Sequence, residues 1–441
     1  MKDYNLPTTS SHSLSEWAPK IKKIVPSQLL SFYHFILAFL GALIYRFPSK
    51  KIKVIGVTGT NGKTTVVEMV TRILEEAGYK VASLSSIKFK IGGKELINVL
   101  RMTMPGRFFI QRFLRQAVDS NCQYAVLEVT SEGIKQYRQK FIDFNTTIFT
   151  NLSPEHIEAH GNFENYKITK GKLFKENKNI HIINLDDNNT SYFLEFPAKK
   201  KYGYTINNQK KETNNKKLFI IHCVLLAADQ NRLSFEIQKT KFNLKLFGKF
   251  NVYNALAAIS FALSQEISLE ICQNALEKIT GIPGRMEKVI STPFKIFVDY
   301  AFTPNALEKI YCVLKENFKP KRIICVLGSC GGGRDKWKRP VLGSLAKKHC
   351  DEIIITNEDP YDEDPMEIIK QIAVGAGDKA KKILERRKAI KQALKLAKEN
   401  DLIIITGKGC EPSICLAYGK KIPWDDRKVI KEEFQKIYGE I

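Results

Sequence analysis

The sequence predicts an α/β protein: a central domain with a parallel sheet and a phosphate loop, a C-terminal Rossmann-like α/β domain, and a short helical N-terminal segment. Three observations carry this. Short β-branched runs alternate with stretches of helical apolar spacing, the pattern of a mostly parallel sheet covered by helices on both faces. A glycine-rich turn, "TGTNGKTT" (58–65), lies between the first such run and the first helix. Gly, Pro and Gly then punctuate "GIPGRME" (281–287), and a second alternating series begins after it. The expected division is 1–50, 51–283 and 284–441, and 441 residues, 44% of them hydrophobic, suffice for two or three packed domains.

Each element has its own justification. In the first segment, Leu29 to Tyr45 ("LLSFYHFILAFLGALIY") is 17 residues of mostly apolar character between Lys20, Lys22, Lys23 and Arg46, Lys50, Lys51. It sits at the short limit for a membrane span, and Ser31, Tyr33 and His34 dilute it. A helix docked on the core is expected ahead of a membrane anchor, with contact to a membrane surface as the alternative. "KIKVIGVTG" (51–59) reads as a buried strand. "TTVVEMVTRILEEAG" (64–78) reads as a helix closed by Gly78. "YKVASLSS", "YAVLEVT" and "TTIFTNL" read as further buried strands. Residues 200–248 offer short alternating strands split by a polar Lys/Asn loop, suggesting a small antiparallel sheet. "NVYNALAAISFALSQE" (251–266) is helical again. "FKIFVDYA", "KRIICVLGS", "CDEIIITNEDP" and "NDLIIITGKG" supply the strands of the last domain.

Composition narrows the function classes. Lys and Arg number 70 against 46 acidic residues, a net charge of +24. Such a charge suits a polyanion, but the lysines are spread along the chain and no nucleic-acid motif accompanies them, so no nucleic acid partner is expected. A non-catalytic nucleotide- or nucleic-acid-binding protein is the rival from another class. Nine cysteines form no C-x-x-C pair, which argues against a zinc ribbon or a disulfide framework and for a reducing, cytoplasmic compartment.

The turn at 58–65 departs from G-x-x-x-x-G-K-[ST], because Val57 stands where the first glycine belongs. Its context is still that of an anion site, a loop after a buried strand that opens a helix. Lys63 would neutralise β/γ-phosphates, and Thr64 or Thr65 would offer a hydroxyl to Mg²⁺.

"TGTNGKTT" resembles the ATP loop of the Mur ligase superfamily, in which a tighter G-T-x-G-K-T loop is normal. The resemblance continues from about residue 50 to about residue 430 and is closest to the third-residue-adding branch, the UDP-N-acetylmuramoyl-tripeptide synthetases. It implies that Gly59, Thr60, Asn61, Gly62, Lys63, Thr64 and Thr65 form the ATP loop. "LEVTSEGIKQYR" (127–138) resembles the family's E-V-S-S-H-G-L-x-x-x-R element, which makes Glu128 a Mg²⁺ ligand and Arg138 a contact of the acidic peptide substrate. "FTNLSPEHIEAHGNFENYKITKGKLF" (149–174) is similar to F-T-N-L-x-x-D-H-L-D-x-H-G with its following lysine. His156 would complete a second Mg²⁺ site, and Lys170 falls at the lysine that is carbamylated. A carbamate offers anionic oxygens to a cation, which an ammonium cannot.

Further along, "FGKFNVYNALAA" (247–258) implies Asn251 and Asn254 on the adenine side, "GRME" implies Arg285 at the phosphates, and "VDYAFTPNAL" (298–307) implies Asp299 at the ribose. Phe302 replaces the family histidine. "GSCGGGRDKWKRP" (328–340) makes Arg334 the holder of the incoming amino acid's carboxylate. "TNEDPYDEDP" (356–365) aligns Glu358, Asp359, Pro360 and Tyr361 with a specificity motif that reads D-N-P-R in diaminopimelate-adding enzymes. "TGKGCE" (406–411) puts Gly407 and Glu411 near the far amine. A tyrosine cannot replace the charge of that motif arginine, and Glu358, Asp359 and Glu411 would make the pocket acidic, which suits a free amine.

The resemblance therefore implies an ATP- and Mg²⁺-dependent amide ligase, with two Mg²⁺ ions and a carbamylated Lys170. It would join an amino acid, a diamino acid above all, to a UDP-N-acetylmuramoyl-dipeptide-type precursor through an acyl phosphate, working as a monomer. Family members of this branch carry a sizeable UDP-binding domain before the ATP loop, whereas about 50 residues precede it here. A Mur-type ligase for a non-UDP, lipid-linked or polyglutamate-like substrate is thus the same-class alternative.

Overall fold

A computed structural model describes residues 27–207, 218–230 and 232–439. Lys20, Lys22, Lys23 and the polar Lys/Asn loop at 208–217 lie outside the described residues. The first element is α1 (Ser27–Ile44), followed by a 3₁₀ turn at Pro48–Lys51.

The central domain runs β1 (Lys53–Thr58), α2 (Lys63–Glu76), β2 (Val81–Leu84), β3 (Lys88–Ile91), β4 (Lys94–Ile97), α3 (Arg107–Asp119), β5 (Tyr124–Glu128), α4 (Ser131–Lys135) and β6 (Phe144–Phe149). It continues with α5 (Ile157–His160), α6 (Phe163–Glu176), β7 (Ile180–Asn184), α7 (Thr190–Glu195), β8 (Lys200–Thr205) and β9 (Leu218–His222). These strands form one sheet in the order β4-β3-β2-β5-β1-β6-β7-β8-β9, parallel from β2 to β9, with β3 and β4 antiparallel at one edge. The chain leaves β1 in one direction for β2 and returns to the other side at β6. The carboxyl end of β1 is thus a switch point, where open α/β sheets form their ligand crevice.

One strand assignment is corrected here. Lys200–Thr205 and Leu218–His222 extend the parallel sheet and do not belong to an antiparallel one. The antiparallel sheet comprises only β10 (Val224–Ala228), β11 (Leu233–Ile237) and β12 (Thr240–Leu244), held to the core by the stacked rings of Phe235 and Phe242. Alternating polarity made both pairs look alike; the difference is that β8 is buried along nearly its whole length, which suits a strand inside a parallel sheet.

Packing explains the helices next to the crevice. α2 buries Val66, Val67, Met69, Val70, Ile73 and Leu74, exposes its charged side, and ends at Gly78 with φ +86°. It lies against α8 (Phe250–Ser264), which is buried almost all round, and α9 (Leu269–Glu277) closes the domain.

The C-terminal domain contains β13 (Glu287–Ile290), β14 (Lys295–Asp299), α10 (Pro304–Phe318), β15 (Ile323–Leu327), α11 (Lys338–His349), β16 (Glu352–Thr356), α12 (Pro365–Ala376) and β17 (Ala380–Ile383). It ends with α13 (Arg386–Leu396), β18 (Leu402–Thr406), the hairpin β19 (Ser413–Cys415) and β20 (Lys421–Pro423), and α14 (Asp426–Tyr438). Its sheet order is β13-β14-β18-β15-β16-β17, parallel except for β13. The isoleucine-rich strands are buried on both faces, with α10 to α12 on one side and α13 and α14 on the other.

The N-terminal helix docks, as expected. His34, Ala38 and Ala42 are buried, α1 packs on α3, and the Phe35 and Phe39 rings meet Phe141 edge-on. The opposite stripe, formed by Leu29, Phe32, Tyr33, Ile36, Leu40, Leu43 and Ile44, is exposed. Among the described residues no helix is long and apolar enough to cross a membrane.

Candidate active site

A cavity of about 950 Å³ opens between the two domains at the carboxyl end of β1. Every site residue predicted from sequence lines it except Glu358 and Gly407.

The loop after β1 forms one end. Gly59 and Gly62 have φ of +147° and +84°, and a Cβ would lie 1.9 Å from Thr150 Oγ1 at the first and 2.4 Å from Asn254 Oδ1 at the second. Glycine is therefore required at both. Val57, by contrast, is a fully buried strand residue, so the loop needs no glycine there. Lys63 Nζ donates to the carbonyl oxygens of Gly59 (3.2 Å) and Thr60 (2.9 Å). Burial lowers its pKa, Glu128 opposes that shift, and Arg285 adds to it. Thr64 Oγ1 donates to Glu128 Oε1 at 3.1 Å, and Glu128 Oε2 accepts from Ser86 N at 2.5 Å. Arg285 Nη2, from the domain junction, donates to Thr64 Oγ1 at 3.3 Å.

α6 brings Lys170 beneath the same loop. Its side chain is buried, Nζ donates to Gly59 O at 2.9 Å, and it lies over the Tyr166 ring. Burial, and then the nearby Lys63, drives its pKa well below the usual lysine value. His156, held at φ +57° before α5, has its pKa lowered to about 2 by burial and by Arg334, Lys170, Lys338 and Lys63. It is neutral and keeps a lone pair for a ligand.

At the nucleoside side, Asn251 Nδ2 donates to Phe247 O and Asn254 Nδ2 to Asn251 Oδ1. The buried Asp299 accepts from Met286 N (2.7 Å) and Ala301 N (2.6 Å), and burial raises its pKa to about 6 against the pull of Arg285. Phe302 carries Lys338 Nζ 4.8 Å from its ring centroid, so a cation–π contact replaces the hydrogen bonds of a histidine. Arg138, at another wall, donates from Nη2 to Gln136 Oε1 and from Nη1 to Met104 O. Burial and Arg107 lower its pKa to about 10.

The far end holds Arg334, Asp359, Tyr361 and Glu411. Among the described residues the Arg334 guanidinium has no carboxylate partner within ion-pair distance. The expectation of an acidic pocket is corrected here. Asp359 accepts from Lys408 Nζ at 3.0 Å on both oxygens and from Cys415 N at 2.7 Å. Glu411 accepts from Lys408 Nζ (2.6 Å), Arg101 Nη2 (2.5 Å) and Tyr300 Oη (3.0 Å). Arg101 also forms a two-pronged ion pair with Asp359. Burial would raise the Asp359 pKa, but Lys408 and Arg101 hold it below the usual value. Glu358 lies behind the cavity wall, where Cys330 Sγ donates to it at 2.9 Å; burial and then Asp359 raise its pKa. Gly407 lies behind the wall too, against Glu358: a Cβ there would be 2.2 Å from Glu358 Oε2.

Sequence reasoning passed over Arg101, Lys338 and Lys408. Lys408 stood inside the quoted "TGKGCE" element and carried a readable signal, whereas Arg101 lies in no quoted motif.

Residues 57–262 match the Mur ligase middle domain and residues 284–409 the Mur ligase glutamate ligase domain. A 2,6-diaminopimelate-adding UDP-N-acetylmuramoyl-L-alanyl-D-glutamate ligase of Syntrophomonas wolfei is 39% identical over 414 residues, which cover 90% of this chain and 81% of the relative. The chain belongs to the Mur ligase family. A ligase of the same name from Aquifex aeolicus is 37% identical over 388 residues, covering 87% of this Mur ligase and 78% of the relative. Among solved structures, one of a UDP-N-acetylmuramoyl-L-alanyl-D-glutamate–2,6-diaminopimelate ligase matches with a TM-score of 0.56 and 27% identity, over 88% of this chain and 79% of that one. Folylpolyglutamate synthase of Mycobacterium tuberculosis, solved with ADP and AMPPCP, shares the fold at a TM-score of 0.66 and 17% identity, over 84% and 91% of the two chains. Mur ligases are ATP-dependent and use Mg²⁺. The residues of this Mur ligase fit both: the loop and Lys63 line the cavity where a phosphate would lie, and a hydroxyl and a carboxylate, Thr64 and Glu128, form an all-oxygen donor pair beside it.

Proposed function

We propose that this Mur ligase joins a diamino acid to a UDP-N-acetylmuramoyl-dipeptide, forming an amide at the expense of ATP. One observation carries the reading: a single cavity has the phosphate loop at one end, Arg138 on the wall and the carboxylate-free Arg334 at the other. Three reactants with anionic groups can therefore meet in it. Lys63, the loop amides and Arg285 hold the triphosphate; Asn251, Asn254 and Asp299 face the nucleoside. Arg138 holds the peptide's carboxylate end and Arg334 the α-carboxylate of the incoming amino acid. Glu128 and Thr64 would hold one Mg²⁺, and His156 with the carbamate of Lys170 a second; Mg²⁺ would supply charge neutralisation at the transferring phosphoryl group.

The peptide carboxylate oxygen attacks the γ-phosphorus as the bond to ADP breaks, giving an acyl phosphate. The amine nitrogen then attacks the acyl carbon, the C–O bond breaks, and phosphate departs with the proton that the amine gives up. Lys63 and Arg285 stabilise the charge of the first step, and the closed domain pair excludes water from the second.

The low pKa of Lys170 supports its carbamylation. The neutral amine attacks dissolved CO₂, an N–C bond forms, and one proton leaves, giving a carboxylate beside the loop. Cysteines that form no disulfide suit a reducing, cytoplasmic compartment. The α1 stripe rests on an anionic membrane surface. Support comes from the exposed apolar side chains and from the basic residues that flank α1 at both ends in sequence. These would repel a second copy in either orientation and attract acidic headgroups.

The test is phosphate release with UDP-N-acetylmuramoyl-L-alanyl-D-glutamate and a panel of amino acids. Release that requires both the nucleotide peptide and a diamino acid is expected; no release with any amino acid overturns the reading.

A further inference from the structure

Arg101 comes from the central domain but works in the C-terminal one. The segment that bears it, between β4 and α3, is fastened by Asn98, whose Nδ2 donates to Ser85 O (2.9 Å) and Met102 O (3.1 Å). Arg101 itself is held at φ +55°, a backbone state that a non-glycine residue adopts only when its surroundings impose it. Its side chain is 6% exposed, crosses to Asp359 and Glu411, and lines the cavity. Its buried Nε–H has no acceptor among the described residues. A buried guanidinium edge without an acceptor is costly unless a ligand supplies one. Beside it, Tyr361 lines the cavity with a hydroxyl that has no hydrogen-bond partner among the described residues.

Charge counting points the same way. In the ion pairs of this end Arg101 and Lys408 share Asp359 and Glu411, which leaves Arg334 as the extra cation. The α-carboxylate of the incoming amino acid balances the extra cation. A side chain ending in a bare ammonium would then add an uncompensated charge, because both carboxylates already serve Arg101 and Lys408. A side chain ending in a carboxylate and an ammonium together adds none.

Resting on the ligase reading above, we propose that Arg101 is the specificity-determining residue for the far end of the amino acid. With Tyr361, it binds a second carboxylate there and thereby selects a diamino dicarboxylic acid over a diamino monocarboxylic acid. The segment that selects the amino acid also carries Met102 to Met104 on the wall beside Arg138. The two substrate ends are thus coupled through one fastened loop.

The experiment compares meso-diaminopimelate with L-lysine in phosphate release, using UDP-N-acetylmuramoyl-L-alanyl-D-glutamate, for the wild type, Arg101→Ala and Arg101→Lys. The wild type is expected to prefer diaminopimelate. Arg101→Ala should lower kcat/KM for diaminopimelate by about 30-fold or more, chiefly through KM, and change that for lysine by less than about 3-fold. Arg101→Lys should recover part of the loss, with the KM for ATP unchanged throughout. Equal losses for both amino acids would make Arg101 a domain latch only and overturn the proposal, as would a wild-type preference for lysine. Wild-type inactivity with both would instead overturn the parent reading and this proposal with it.

Discussion

Lys338 Nζ lies 2.8 Å from Glu155 Oε1, a buried ion pair that joins the C-terminal domain to the central one. Burial raises the Glu155 pKa, and Lys338 partly restrains it. Removing one partner leaves the other charged and desolvated, so Lys338→Met should cost about 3–5 kcal/mol of stability or open the domains. Replacing both, as Glu155→Leu with Lys338→Met, should cost far less than the single change. Urea unfolding of the four-member cycle checks this; additive losses would mean that the pair does not hold the domains.

Lys63→Ala removes the only lysine on the phosphate loop, and phosphate release should fall by about 100-fold or more. Folding should not suffer. Burial lowers the Lys63 pKa, so the native state disfavours its proton and its stability rises with pH towards 10.5. The neutral side chain should therefore unfold at an equal or higher temperature at pH 7. A stable variant with unchanged turnover would remove Lys63 from the site.

Lys170 predicts a labile adduct. Burial and Lys63 drive its pKa down, which favours the free amine that CO₂ requires, and acid reprotonates it and releases CO₂. Intact mass at neutral pH should show one carbamate on the wild type and none on Lys170→Ala or after acidification. Activity should fall in CO₂-depleted buffer and return with bicarbonate. Full activity of Lys170→Ala would exclude it from the mechanism.

How much of this was legible in the sequence follows from what each residue depends on. The loop and Glu128 were readable because a tight turn and a strand end place them locally, whereas His156 and Lys170 were read only through the resemblance of the motif at 149–174. The tertiary partners were not readable. Arg101 is drawn into the far pocket by a positive-φ residue and by domain closure, and neither leaves a mark in a neighbouring motif. Acidic composition around Glu358 and Glu411 suggested an acidic pocket because Arg101 comes from elsewhere in the fold and Lys408, three residues before Glu411, was passed over. Likewise β8 and β9 alternate in polarity like a hairpin, and only the parallel pairing of β8 with β7 and of β9 with β8 reveals the extended sheet.

The α1 stripe predicts selective vesicle binding. Flotation with phosphatidylglycerol vesicles should carry the enzyme, whereas phosphatidylcholine vesicles should carry much less. About 0.5 M salt should weaken the binding, because screening acts on the basic flanks. Ile36→Glu places a charge in the exposed stripe and away from the cavity, so it should abolish flotation and spare phosphate release. Binding that ignores lipid charge would exclude the electrostatic part of this contact.

Asp299 makes stability depend on pH in a defined window. Its pKa rises from 3.8 to about 6 on burial, so the native state holds a proton that the unfolded chain releases between those values. Stability from this group is therefore present below pH 3.8 and lost as the pH rises through about 6. In Asp299→Asn the group no longer titrates, so the variant should gain on the wild type by about 3 kcal/mol between pH 3.8 and pH 7. The absolute stability of the variant carries a separate cost: the carboxylate accepts from Met286 N and Ala301 N on different oxygens, and an amide offers only one acceptor. Urea unfolding at several pH values separates the two terms, one constant and one pH-dependent. A difference that stays flat with pH would mean that Asp299 titrates as in water and that its backbone contacts alone fix the domain junction.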